Sequence, residues 1–185
     1  DSNPIENSAM SVAKARIGVV YYSLYGHIRA LADEFVAGIK DQGAEAVLLR
    51  VPETLPDEVL KKMGALEADS SVPLADPQKL MDLDGILFGI PTRFGMAGAQ
   101  VKALMDATGG LWAKGGLVGK PAGVFFSSGS QGGGQETTAF TFVTQFAHHG
   151  MIYVPMGFTH PEMAKHDEVR GGSAYGPGTI AGADG

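Results

Sequence analysis

Short apolar runs with almost no polar interruption recur along this chain, and most are followed by a loop bearing Ser, Thr, Gly or Pro and then a helical pattern. They are Ile17–Tyr22, Ala46–Val51, Gly85–Ile90, Gly123–Phe126 and Ile152–Val154. A strand that alternates apolar and polar residues has one wet face, whereas a continuous apolar strand suits burial on both. Alternation of such strands with helices dictates a parallel sheet covered by helices on each side. The expectation is an α/β fold built on an open, doubly wound, five-stranded parallel sheet. The 185 residues accommodate one such domain, with residues 1–14 read as a flexible leader and residues 15–185 as the domain.

The helices between the strands carry their own signals. Ile28, Leu31, Ala32, Phe35, Val36 and Ile39 recur at the spacing of one helical face, and Gly43 supplies a stop. A Pro-rich excursion, Pro52 to Pro77, reads as an ordered insertion, with a short helix around Pro56–Met63 and an extended piece near Val72–Leu74. Asp76 then N-caps a helix with Pro77 at its first position, running to about Met81. After Gly85–Ile90, Pro91 to Gly95 reads as a loop, followed by a helix with Val101, Leu104 and Met105 inward that ends at Gly109-Gly110. A last long helix, Glu136 to His149, is expected to bury Phe140, Val143, Phe146 and Ala147. Beyond Pro155 no periodicity is visible.

Composition removes several functional classes. The net charge is −6 and no stripe of Lys or Arg exists, so a nucleic-acid partner has no support. With no cysteine there is neither a disulfide nor thiolate chemistry, which suits a reducing compartment, and the location read from this is cytoplasmic. The N-terminal residues lack the pattern of a signal peptide, and no apolar run approaches the roughly 18 residues of a membrane span. No transmembrane segment is expected, while a peripheral membrane association stays open.

Three strand ends open into loops rich in small polar residues: Ser23–His27, Pro91–Met96 and Ser127–Gln135. In an open α/β sheet the carboxyl ends of neighbouring strands converge on one crevice, where ligands bind. The first loop runs straight into a helix, so the Ser23 hydroxyl, backbone amides and the helix N-terminus can together hold a phosphate. The same residues also describe an ordinary capped turn. Other nucleotide motifs fail: the first loop has no G-x-G-x-x-G, and Gly116–Lys120 lacks the first glycine and the final Ser/Thr of a Walker loop. No G-x-S-x-G follows a strand, and the histidines lack zinc-ligand spacing, so no metal is expected.

At the level of longer motifs the chain from Lys14 onward resembles the WrbA family of flavodoxin-like NAD(P)H:quinone oxidoreductases, in a plant or algal form. The matching segments are YYSLYGHI, RVPETLP, GIPTRFGM, DATGGLW, GKPAGVFFSSGSQGGGQETT, HHGMIYVP and RGGSAYGPGTIAGADG. The resemblance implies a flavodoxin-like sheet of strand order 2-1-3-4-5 and an FMN site at the three loops. Ser23, Leu24, Tyr25, Gly26, His27 and Ile28 match its phosphate turn. Pro91, Thr92, Arg93, Phe94 and Gly95 match the loop beside the flavin ring, and Ser127, Ser128, Gly129, Ser130, Gly132 and Gly133 match the third loop. His148 matches a histidine that reaches the flavin from a neighbouring subunit, and Tyr25 and Trp112 match positions flanking the substrate pocket. His148 and Arg93 are then the candidate catalytic residues.

The activity implied is two-electron reduction of quinones by NADH or NADPH, with both substrates taking turns in one pocket. The implied assembly is a homotetramer that falls to a dimer at low concentration. Each residue has a plainer role beside this one: Trp112 as core or subunit contact, Arg93 as partner of an acid, and a histidine of the 148–149 pair as a helix C-terminal cation. A one-electron flavodoxin carrier and a non-enzymatic protein that keeps the fold are the alternatives, although −6 is a mild charge for a docking carrier. Relatives of this type usually continue into a further helix after GADG, which this sequence does not include: either the remainder lies beyond Gly185 or the fold is trimmed there.

Overall fold

The computed structural model describes residues 13–182. The leader assigned to residues 1–14 lies outside this range for residues 1–12, as does the chain end at residues 183–185. The strands are β1 (Arg16–Tyr21), β2 (Glu45–Arg50), β3 (Gly85–Arg93), β4 (Met96–Ala97), β5 (Pro121–Ser128), β6 (Ile152–Tyr153) and β7 (Gly178–Ile180). The helices are α1 (His27–Asp41), α2 (Asp57–Lys62), α3 (Pro77–Met81), α4 (Ala99–Asp106), α5 (Gly109–Lys114) and α6 (Gln135–His149).

Five parallel strands in the order β2-β1-β3-β5-β6 form the spine, which is the order expected for the five recurring apolar runs. The sheet has seven strands among the described residues rather than five. β4 folds back antiparallel on the end of β3, and β7 runs parallel to the end of β5. Neither extra strand exceeds three residues, too short to carry a period.

Both faces of the sheet are buried, as unbroken apolar strands require. One face packs Val19, Tyr21 and Phe125 against Ile28, Ala32, Leu31 and Phe35 of α1. The other packs Val20, Phe88, Ile90 and Val124 against α4 and α6 through Val101, Leu104, Phe142 and Phe146. Gly43 ends α1 as expected: its own amide bonds Lys40 O at 2.8 Å and the next amide, of Ala44, bonds Ile39 O at 3.2 Å. Asp76 caps α3 by accepting from the Lys79 amide at 2.9 Å. The Pro-rich excursion is ordered, and Leu74 bridges to Arg50 at the edge of β2.

Two expectations about element limits and one about a buried face change. Pro91 to Arg93 continues β3 instead of starting a loop, because the chain turns back at Phe94-Gly95 into a tight hairpin pairing Thr92 with Ala97 and Arg93 with Met96. Gly109-Gly110 opens α5 rather than closing α4, since Thr108 O accepts from both the Leu111 and Trp112 amides. The buried face of α6 is Gln135, Thr138, Ala139, Phe142, Phe146 and His149, so Ala147 points outward and Phe140 lies half exposed against the Tyr175 ring. That face holds three polar residues, which hid it from a purely apolar count.

Candidate functional site

The three polar loops meet at the carboxyl edge of β1, β3 and β5. The Tyr22 amide bonds Gly89 O at 3.1 Å, and Pro91 lies opposite Ser127 in the β3–β5 register. Between them is a cavity of about 590 Å³ lined by Ser23, Leu24, Tyr25, His27 and Ile28 from the first loop, Pro91, Thr92 and Arg93 from the second, and Ser127, Ser128 and Gly129 from the third. Gly64, Leu66 and Ala181 complete the wall.

Where the first loop meets α1 the cavity is bordered by backbone. Gly26 sits at the N-cap of α1 with φ 90, a left-handed conformation that costs glycine nothing. No side chain caps the helix; the Gly26 amide bonds Ser23 Oγ at 3.1 Å instead. The first intrahelical bond is Ala30 N to Gly26 O at 2.9 Å, so the amides of His27, Ile28 and Arg29 have no acceptor within the helix. Three orphan donors at the positive end of a 15-residue helix suit a dianionic phosphate without any cation. Ser23 accepts from Gly26, so its hydroxyl proton is available to the same ligand. The helix can approach this closely because Gly89 has no side chain: a Cβ there would lie 2.7 Å from Ile28 Cγ2 and 2.4 Å from the Phe125 ring.

On the second loop the Thr92 hydroxyl meets that of Thr138 at 2.6 Å, and Thr138 gives its proton to Gly134 O at 2.8 Å. Thr138 therefore accepts, and Thr92 donates toward α6. Arg93 lines the cavity and makes no ion pair among the described residues. Beyond it Phe94 is fully exposed at φ 52, the left-handed region that a bulky residue avoids, followed by Gly95 at φ 76. Neither Phe94 nor Gly95 lines the cavity of its own chain.

The third loop is held by a residue the sequence reading placed only as a loop boundary. Gln135 is buried; its amide nitrogen donates to Ser128 Oγ at 2.9 Å and Thr179 O at 2.7 Å, and its oxygen accepts from the Gly172 amide at 2.7 Å. It thus ties the loop to the C-terminal strap, whose Ala181 amide bonds Ser128 O at 2.9 Å. Ser130, Gly132 and Gly133 shape the loop without lining the cavity. Ser130 O accepts from Ser128 Oγ and the Gly133 amide, and a Cβ on Gly133 would lie 2.7 Å from Ser128 Cβ.

Tyr25 stands half exposed at the rim, its hydroxyl donating to Met63 O at 3.2 Å, and the Leu66 amide bonds Leu24 O at 2.8 Å, so the excursion forms the cavity's outer wall. Behind the first loop Glu53 accepts from the Tyr22 hydroxyl at 2.7 Å, Gln100 at 2.8 Å and the amides of Thr54 and Leu55. Burial alone pushes the Glu53 carboxyl upward, but these donors outweigh it and hold it below the usual carboxylate range. Burial and this bond to Glu53 push the Tyr22 hydroxyl well above a normal phenol.

Trp112 and His148 lie at the other end of the molecule. Gln135, which bonds Ser128 of the cavity wall, begins α6, and His148 is next to its end, so roughly 20 Å of helix separates them. Trp112 is on α5 beyond the far end of α4 and is 61% exposed. His149 rather than His148 is the buried histidine of the pair, and burial, with His148 beside it, pushes its imidazole below the ordinary histidine range.

A parallel α/β sheet with its cleft at the strand switch point, an amide-lined helix start and no dinucleotide glycine motif defines a flavodoxin-like, mononucleotide-binding architecture. Residues 15–164 match the family described as NADPH-dependent FMN reductase, and the chain belongs to that family. It is 56% identical over 172 residues to the quinone-oxidoreductase QR2 of Triphysaria versicolor, covering 92% of this chain and 83% of that protein. It is 51% identical over 171 residues to the NAD(P)H dehydrogenase (quinone) of Geobacter sulfurreducens, covering 90% and 84% of the two chains. Its fold is similar to the crystal structure of the WrbA-like flavodoxin from Agrobacterium tumefaciens, at 27% identity and TM-score 0.59, covering 80% of this chain and 82% of that one.

Proposed function

We propose that this protein is an FMN-dependent enzyme that reduces quinones in two-electron steps with NADH or NADPH as donor. The carrying observation is the cavity where the three loops meet, with the free amides of the first turn of α1 beside a wall that includes Tyr25, Leu66, Pro91 and Thr92. Bound FMN would supply the two-electron carrier, taking hydride from the nicotinamide and passing both electrons to a quinone.

This chain's residues bind and orient. The amides of His27, Ile28 and Arg29 and the Ser23 hydroxyl hold the phosphate, and Ser127 to Gly129 with Ala181 support the chain that follows it. The Thr92 and Arg93 backbone amides and the Arg93 guanidinium would supply the donors that negative charge on the ring system needs. Tyr25 and Leu66 exclude water at the rim. His148 and Trp112 serve a neighbouring copy's cavity, a reading supported by the roughly 20 Å of α6 between His148 and its own chain's third loop, and His148 donates a hydrogen bond to the quinone oxygen. The exposed apolar residues at that end, Trp112, Val118, Ile152 and Val154, support self-association, and the assembly in this reading is a homotetramer that falls to a dimer at low concentration. The quinone is the partner substrate and the location is cytoplasmic; among the described residues no helix is long and apolar enough to cross a membrane.

The test is titration of the apoprotein with FMN, followed by NAD(P)H oxidation with benzoquinone. The expectation is quenching of FMN fluorescence on binding and parallel double-reciprocal lines for the two substrates. His148→Ala should bind FMN as the parent does and reduce quinones more slowly. No binding of FMN sinks the reading, and unchanged rates with several quinones remove His148 from it.

A further inference from the structure

His149 is 5% exposed, and nothing in the chemistry above uses it. Its Nε2 lies 2.8 Å from Thr108 Oγ1, and that hydroxyl lies 2.5 Å from Met105 O. A carbonyl oxygen only accepts, so the single hydroxyl proton of Thr108 goes to Met105 O and Oγ1 must accept from His149 Nε2–H. Nδ1 then carries no proton, and it is buried without a partner. An orphaned acceptor is a cost that an apolar side chain of the same size would not carry, so packing alone does not explain a histidine here.

What the bond joins is informative. Thr108 is the joint between α4 and α5, and its carbonyl accepts the first two amides of α5, Leu111 at 2.9 Å and Trp112 at 3.0 Å. His149 is the last residue of α6 and the neighbour of His148. One buried hydrogen bond therefore links the turn that aims Trp112 to the helix end that aims His148, two exposed side chains that otherwise sit on separate elements.

We infer that His149 is a positioning residue for the redox site: through Thr108 it sets the distance between Trp112 and His148, and so the shape of the substrate side that these two present to a neighbouring copy. The inference rests on the reading that Trp112 and His148 act on substrate. Because Trp112 is the chain's single tryptophan, its fluorescence reports this position alone.

The experiment uses the FMN-loaded protein and compares His149→Phe, His149→Gln and Trp112→Leu. Glutamine can place an amide N–H where Nε2 lies, and phenylalanine cannot. His149→Phe should alter acrylamide quenching of the Trp112 emission and raise KM for benzoquinone about fivefold, the factor matching loss of one neutral hydrogen bond, while FMN affinity stays that of the parent. His149→Gln should restore both quenching and KM. Should His149→Phe not fold, Thr108→Val against Thr108→Ser breaks and keeps the same bond from the other side. Parental quenching and KM in the bond-breaking variant overturn the inference. If Trp112→Leu raises KM and His149→Phe does not, only the positioning role fails. If Trp112→Leu itself leaves KM unchanged, the assignment of Trp112 to the substrate falls and the positioning role with it.

Discussion

Gly89→Ala tests how the phosphate end of the cavity is held. The new methyl group would sit 2.4 and 2.5 Å from Phe125 ring carbons and 2.7 Å from Ile28 Cγ2, where ordinary contacts run 3.4–4 Å. Neither neighbour can yield cheaply: Phe125 is fully buried with its ring 4.7 Å from that of Phe35, and Ile28 is β-branched and 1% exposed at the start of α1. Overpacking of this size costs about 1–3 kcal/mol. Removing a strand glycine returns roughly 0.5–1 kcal/mol of chain entropy. The net loss is about 1–2 kcal/mol, a fall in Tm of roughly 2–8 °C for a domain of this length. The relief lies along Ile28, so the first turn of α1 shifts and its free amides with it, and FMN affinity should fall more than stability alone explains. Gly38→Ala in α1 is the control: beyond its chain neighbours and the helix's own backbone no atom lies within 4 Å of its Cβ position, and it should stabilise by about 0.5–1 kcal/mol. Thermal melts of the apoprotein and FMN titrations decide it. A Gly89→Ala protein with parental Tm and FMN affinity would refute the close-approach argument.

Gln135→Leu removes the donor that Ser128 Oγ and Thr179 O share and the acceptor of the Gly172 amide, so urea unfolding should show a loss of about 2–4 kcal/mol and FMN binding should weaken. The lowered pKa of His149 gives stability that is complete above the unfolded value of roughly 6.5 and lost as pH falls below it, because only the unfolded imidazole then binds a proton. Melts between about pH 7.5 and 5.5 should therefore fall more steeply for the parent than for His149→Gln; equal slopes contradict this. Phe94→Gly relieves a left-handed phenylalanine whose ring touches nothing in its own chain, so stability should stay within about 1 kcal/mol. Quinone KM should rise if the ring serves the site, and unchanged kinetics would remove Phe94 from it.

The first strand, its Ser-Leu-Tyr-Gly turn and α1 were legible because each signal is local: an apolar run, a glycine before a helical stripe, and Gly43 after it. The Asp76-Pro77 start of α3 was readable for the same reason. The hairpin at Phe94-Gly95 was not, since phenylalanine rarely adopts positive φ and nothing in GIPTRFGM distinguishes a turn back from a loop. Strand β7 escaped because its pairing with β5 is long-range and its three residues are too few for a pattern. Gln135 and His149 looked like helix ends, and only packing shows each buried and bonded across elements.

The sequence by itself determined the layers, the strand order implied by its family motifs, and the three loops that converge, because periodicity and βα alternation leave few other solutions. The tertiary structure alone decided which residues face the cavity, that the excursion and the C-terminal strap close it through Leu66 and Ala181, and that His148 and Trp112 stand at the opposite end of their own chain. Those outcomes depend on register, helix length and the direction of side chains across elements far apart in sequence, none of which is written in a local pattern.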